Sequence, residues 1–170
     1  MAERRLCADE IRQLYDQHGP ALLAYACSFV SDVATGEDVL HQVFMRLLQG
    51  NTIVPEAPVA YLYRAVRNAA LNARRTVKRE VALDLDAPSS MFESRDSNRE
   101  AALTLQAALL ELPEEQREVV VLRVWSGMTL EEAASLTGVS LSTTASRYRY
   151  ALDKLRERLR PYRKEGSLEQ

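Results

Sequence analysis

Apolar residues return along this chain every third or fourth position and almost never in alternation, which is the period of helices. In "TGEDVLHQVFMRLLQG", Val39, Leu40, Val43, Phe44, Leu47 and Leu48 share one helical face, and Asp38, His41, Gln42, Met45 and Arg46 are left on the other. Thr35 with Asp38 three places on reads as a capping-box-like start, and Gly50 as the stop. A further helix is predicted from near Pro58, because proline fits a first turn, through "VAYLYRAVRNAALNARRTVKR". Its core positions are Leu62, Ala65, Val66, Ala69, Ala73 and Val77. Upstream, Ile11, Leu14, Tyr15, Leu22, Leu23, Ala26 and Phe29 predict one or two helices, broken or kinked at residues 18–20, "HGP". These elements make one helical domain over residues 5–80.

The stretch "EVALDLDAPSSMFESRDSNRE" keeps no period and is acidic, so residues 81–97 read as a linker. Ser97 and Glu100 then open a helix in S-x-x-E spacing, followed by Leu103, Leu105, Ala108, Leu109 and Leu112. Pro113 starts "PEEQREVVVLRVWSG", closed by Gly127. Thr129 and Glu132 repeat the capping box, Gly138 closes a short helix, and Ser140 caps a last one reaching about Pro161. The expected fold is all-α: two small helical domains, residues 5–80 and 98–164, joined by a flexible acidic linker, with no strand needed anywhere.

The Thr129–Leu159 segment has the geometry of a helix-turn-helix. Ala133 and Ala134 let the short helix pack closely, Gly138 supplies the turn, and Val139 and Leu141 are placed to plug the angle. The long helix is expected to bury Leu141, Ala145, Tyr148, Leu152, Leu155 and Leu159. Ser142, Thr143, Ser146, Arg149, Tyr150 and Asp153 then face outward, with Arg147 at the margin. Short polar side chains at a helix start allow close approach to base edges, and the helix N-terminus favours phosphate. A bundle whose last helix is merely solvated is the competing reading; the cap, the glycine turn and the polar start together favour DNA.

Composition agrees with a globular protein at 46% hydrophobic and 27% charged residues. The net charge of −2 counts against a nucleic-acid binder until its distribution is seen. Arg64, Arg67, Arg74, Arg75, Lys78 and Arg79 form a basic block without an acid, and the segment from Ser140 to Lys164 is a second one. The segment between them, from Val81 to Glu118, is strongly acidic. Cys7, Cys27, His18 and His41 lack metal-ligand spacing, so neither a metal, a cofactor nor a disulfide is expected. No apolar run is long enough to span a bilayer, and the N-terminus has no apolar core behind its basic residues. A cytoplasmic location without membrane insertion is the expectation.

Arg64, Arg67, Asn68, Asn72, Arg75 and Lys78 recur at three- and four-residue spacing, and Tyr61 and Tyr63 stand at the start of that helix. Cations beside aromatics suit single-stranded nucleic acid, whose bases stack on rings. Packing is the alternative role for the tyrosines and a solvated face for the arginines.

Here the residues resemble a known family. "GEDVLHQVFMRLL" is similar to region 2.2 of bacterial sigma factors of the extracytoplasmic-function (ECF) subgroup of the sigma-70 family. "PVAYLYRAVRNAALNARR" resembles regions 2.3 and 2.4, and "LLELPEEQREVVVLRVWSGMTLEEAASLTGVSLSTTASRYRYALDKLRERL" resembles region 4. The resemblance covers about residues 10–160 in the family's order. It implies a protein that binds core RNA polymerase, through the β′ clamp coiled coil and the β flap, and directs it to promoter DNA. Asp38, His41, Gln42, Met45 and Arg46 would then hold the clamp. The loop around Asn51–Pro58 and the following helix would capture the unwound −10 element, with Tyr61, Arg64, Arg67, Asn68, Asn72 and Arg75. The last helix would read the −35 element as duplex through Ser142, Thr143, Ser146, Arg147, Arg149 and Tyr150. The acidic Asp84, Asp86, Glu93 and Asp96 would lie in a positive nucleic-acid channel. An anti-sigma factor is a further partner such relatives have.

Three departures stand out. His41 and Gln42 replace the Gln-Glu of many relatives, Ala145 and Tyr150 occupy positions often polar or basic, and with ten residues from Pro161 onward no additional C-terminal domain is expected. A stand-alone helix-turn-helix regulator is the alternative function, though no dimerisation helix is evident. An adaptor using only the 35–50 helix would leave both basic faces unexplained. An enzyme is not expected, because no catalytic constellation is present.

Overall fold

The computed structural model describes residues 3–30, 32–50, 53–55, 57–80 and 99–165. The first element, β1, is Glu3–Arg4, and α1 follows as Ala8–Cys27. Of the alternatives expected at residues 18–20, the break is absent, since α1 is one helix that runs through Pro20. Pro20 is exposed, so the Asp16 carbonyl that loses its partner can be hydrated. On the same helix, buried Leu22, Tyr25, Ala26 and Cys27 hold the segment beyond it against the core.

Helix α2 is Val33–Leu48 and begins earlier than Thr35. Its cap is Asp32, whose carboxylate accepts the Thr35 N–H at 2.7 Å and the Thr35 hydroxyl at 2.7 Å. Thr35 is therefore the capped residue and not the cap. Val39, Leu40, Val43, Phe44 and Leu47 are buried as the pattern predicts, whereas Leu48 is 52% exposed. Its place in the last turn carries it past the end of the packed stripe. Gly36 faces α1 so closely that a Cβ there would lie 2.5 Å from the Cys27 sulfur.

Strand β2, Val54–Pro55, pairs antiparallel with β1, with Glu3 opposite Pro55 and Arg4 opposite Val54. The all-α expectation holds, and only the expectation that no strand is needed is corrected by this pair; two-residue strands are too short for an alternating pattern to register. Helix α3, Pro58–Glu80, buries Leu62, Val66, Ala69 and Ala70. Ala65 and Ala73 are half-buried, and the Val77 side chain lies outside the described residues. Tyr63 is also core, its ring centroid 5.3 Å from that of Tyr25, which meets Phe29 edge-on at 5.2 Å.

These elements belong to a first unit, Met1–Ser89, and four more helices to a second, Ser90–Gln170. They are α4 (Arg99–Leu110), α5 (Glu114–Val124), α6 (Leu130–Thr137) and α7 (Leu141–Glu165). Ser97 lies outside the described residues, and with it the cap expected for α4. Ala108, Leu109, Leu112, Val120, Ala151 and Leu155 form the core, with Leu105, Trp125, Tyr148 and Leu159 packed on it. Arg117 Nη1 donates to the Leu110 carbonyl at 3.2 Å, where a cation meets the C-terminal end of α4. Helix α7 passes through Pro161, beyond its expected end.

Leu141 is 44% exposed, against the expectation that it plugs the turn. Helical side chains lean toward the N-terminus, so a residue at the first position has no preceding turn to cover. Thr144, one turn further in, is buried instead, its hydroxyl donating to the Ser140 carbonyl at 3.1 Å.

Candidate nucleic-acid interface

The second unit builds its outward surface from two caps and a turn. Thr129 Oγ1 accepts the Glu132 N–H at 3.1 Å, and the Glu132 carboxylate accepts the Thr129 N–H at 2.8 Å. Gly138 ends α6 in the left-handed region, φ 73°, its N–H bonded to the Ala134 carbonyl at 2.9 Å. Two residues later Ser140 caps α7, its Oγ accepting the Thr143 N–H at 3.1 Å. With Thr144, Ala151 and Leu155 turned inward, Ser142, Thr143, Arg149 and Tyr150 are exposed, and Ser146 and Arg147 are half-buried. The Arg149 guanidinium lies 5.2 Å from the Tyr150 ring centroid. Asp153 is paired with Arg156 at 3.2 Å, so its charge is offset on the same helix.

On α3 the outward residues are Arg64, Asn68, Asn72 and Arg75, with Tyr61 half-buried at the start. Arg67 departs from this group. It is half-buried, and its guanidinium sits 5.9 Å from the centroid of the buried Phe29 ring. Of the two tyrosines weighed as base-stacking residues, Tyr63 is committed to the core.

All five residues expected to face outward from α2, Asp38, His41, Gln42, Met45 and Arg46, are exposed, Met45 by 54%. Beside them is a feature the periodicity missed, an apolar cleft of about 500 Å³ between α1 and α2. It is lined by Ile11, Tyr15, Phe44, Met45 and Leu48 together with Arg12 and His41. Tyr15 stands edge-on to Phe44 at 5.0 Å. The signal that could have disclosed it is Leu48, an apolar residue in the last turn before Gly50. The acidic Asp84, Asp86, Glu93 and Asp96 lie outside the described residues, as do Asn51 and Thr52.

Cys27 and Glu10 are held away from their ordinary titration ranges. Burial, with Asp32 and Glu37 nearby, pushes the Cys27 thiol up to about 12. The Cys7 backbone N–H and then the Arg4 guanidinium hold Glu10 below the usual carboxylate range. Neither lies among the outward residues just described. Among the described residues no His, Cys, Asp or Glu group is placed to hold a metal ion, and no helix is long and apolar enough to cross a membrane.

Residues 14–80 match the family model of sigma-70 region 2, and residues 102–155 match that of sigma-70 region 4. The chain is 30% identical over 155 residues to the ECF RNA polymerase sigma factor SigL of Mycobacterium tuberculosis, covering 86% of each. It belongs to the ECF sigma factors. As a sigma factor it binds core RNA polymerase and directs it to promoters for the start of transcription, which excludes the stand-alone regulator. Solved sigma factors share the fold. RpoE in complex with the anti-sigma factor NepR from Bartonella quintana superposes with a TM-score of 0.74 at 26% identity, covering 90% of this chain and 98% of that one. CnrH in complex with the cytosolic domain of CnrY gives 0.62 at 27% identity, covering 91% of this sigma factor and 90% of its own chain.

Proposed function

We propose a division of labour in which residues 98–164 read the −35 element as duplex and residues 5–80 hold the polymerase and capture the unwound −10 strand. The observation that carries it is the start of α7: a capped helix, entered through a left-handed glycine, with Ser142, Thr143, Arg149 and Tyr150 outward. Ser146 and Arg147 flank that face and complete the −35 surface. The −10 strand lies along Tyr61, Arg64, Asn68, Asn72 and Arg75, with Arg67 at the edge, anchored over Phe29. Asp38, His41, Gln42, Met45 and Arg46 bind the β′ clamp coiled coil, and the second unit meets the β flap. The acidic linker, 81–97, carries Asp84, Asp86, Glu93 and Asp96 into a positive channel of the polymerase. The protein acts in the cytoplasm, without catalysis of its own. RpoE was solved with the anti-sigma factor NepR, which supports control of this chain by an anti-sigma factor.

The test is run-off transcription with the purified chain, bacterial core polymerase and the promoter upstream of its own gene. A specific start that needs both proteins is expected. Arg149→Ala should then weaken duplex recognition, and Asn68→Ala should weaken opening. A sharp footprint by the chain alone, with no transcript, would overturn the proposal.

A further inference from the structure

Helix α7 carries two tyrosines in the run Arg147, Tyr148, Arg149, Tyr150, and the structure uses them differently. Tyr148 is half-buried and packed on the core of the second unit. Tyr150 is 52% exposed, and its ring serves a neighbour instead: the Arg149 guanidinium lies 5.2 Å from the ring centroid, within cation–π range. A guanidinium is planar and carries its N–H donors around its edge, so a ring against its face leaves those donors available. A carboxylate would instead occupy them. The carboxylate best placed to do so is Asp153, four residues on, the spacing at which helical side chains meet. Asp153 is engaged elsewhere, accepting from Arg156 at 3.2 Å. Arg149 thus reaches the surface with its cation braced and its donor edge open.

We propose that Tyr150 is a positioning residue, whose ring is a shelf that holds the Arg149 guanidinium in place for the major-groove edge of one −35 base pair. This rests on the assignment of duplex reading to the start of α7. Paired hydrogen bonds from arginine to a base require the guanidinium plane to lie in line with that edge. A free arginine surrenders much rotamer freedom on docking, and a side chain already braced surrenders less. The shelf therefore sharpens discrimination at the base pair that Arg149 faces and adds nothing at the others. The Tyr150 hydroxyl has no part in it, so a phenyl ring serves equally.

The experiment uses full-length variants assembled with core polymerase and compares initiation from the promoter with initiation from versions carrying each other base pair at every −35 position. Arg149→Ala marks the position that Arg149 reads, by levelling the preference there. Tyr150→Leu, which suits a helix and lacks a ring face, should reduce the preference at that same position about threefold, the size of an exposed cation–π contact. Preference at the other −35 positions and the melting temperature of the free chain should stay as in the parent, and Tyr150→Phe should keep the full preference. Should Tyr150→Leu fail to fold, Tyr150→Gln is the second ringless variant, with the same loss expected. Parental preference at the marked position in a ringless variant overturns the proposal. So does an equal loss at every −35 position, or a loss in Tyr150→Phe matching that in Tyr150→Leu. If Arg149→Ala levels no position, the fault lies in assigning −35 reading to Arg149, and the shelf falls with that assignment.

Discussion

Gly36 and Cys27 set how closely α1 and α2 approach. A methyl group at position 36 would meet the Cys27 sulfur at 2.5 Å, so Gly36→Ala should destabilise the first unit by about 1–3 kcal/mol, the usual range for overpacking. Cys27→Ala in the same background should recover part of it, a coupling that urea midpoints of the four proteins would measure. Cys27 also makes a pH prediction. Its thiol is raised to about 12 when folded, above the ordinary value of 9.0. The unfolded chain therefore loses that proton first, and the stability it lends, complete below pH 9, is lost as pH rises toward 12. Unfolding followed from pH 8 to 11 should show a shallower decline in Cys27→Ala than in the parent. A thiol reagent at neutral pH should label exposed Cys7 and spare buried Cys27, read by mass spectrometry.

At the scale of elements, local chemistry was legible where a cap or a turn is made by neighbours in sequence. The Thr129–Glu132 box, the Gly138 turn and the Ser140 cap are all present as the spacing predicts. Thr129→Ala should cost about 1 kcal/mol in the second unit. A Cβ at Gly138 meets nothing within 4 Å, so Gly138→Ala carries only backbone strain, about 1–2 kcal/mol. Gly138→Asn should cost less, since asparagine tolerates the left-handed region; equal losses in thermal melts would contradict that account. Elements failed to be legible where distant chain decides. Pro20 reads as a break until its solvent-facing side is known, and β1 exists only because residues 54–55 come to meet it. Leu141 and Leu48 looked like core by period alone, yet each lies at a helix end where the covering neighbours stop.

Across the whole molecule, charge is segregated while the net stays at −2. Two small basic faces on an acidic average predict weak, salt-sensitive promoter binding by the free chain and tight binding only as part of the polymerase. Fluorescence anisotropy with a −35 duplex, with and without core enzyme across a salt series, measures this directly. Salt-independent, tight binding by the free chain would contradict it. Within the assembled polymerase, Arg149→Ala should lose about 1–3 kcal/mol and relax base preference at −35, the signature of a lost base contact.

The sequence by itself determined the helical period, the split into two units, the caps around α6 and α7, and the order of blocks that carries the family resemblance. These follow from interactions between residues a few positions apart, or from composition along the chain. Only the tertiary structure decided that Tyr63 is core, that Arg67 leans over Phe29, that Leu48 opens onto a cleft with Tyr15, and that Ile53 faces outward. Each depends on what arrives from elsewhere in the chain to cover one side of a residue, and periodicity along a single helix holds no record of that neighbour.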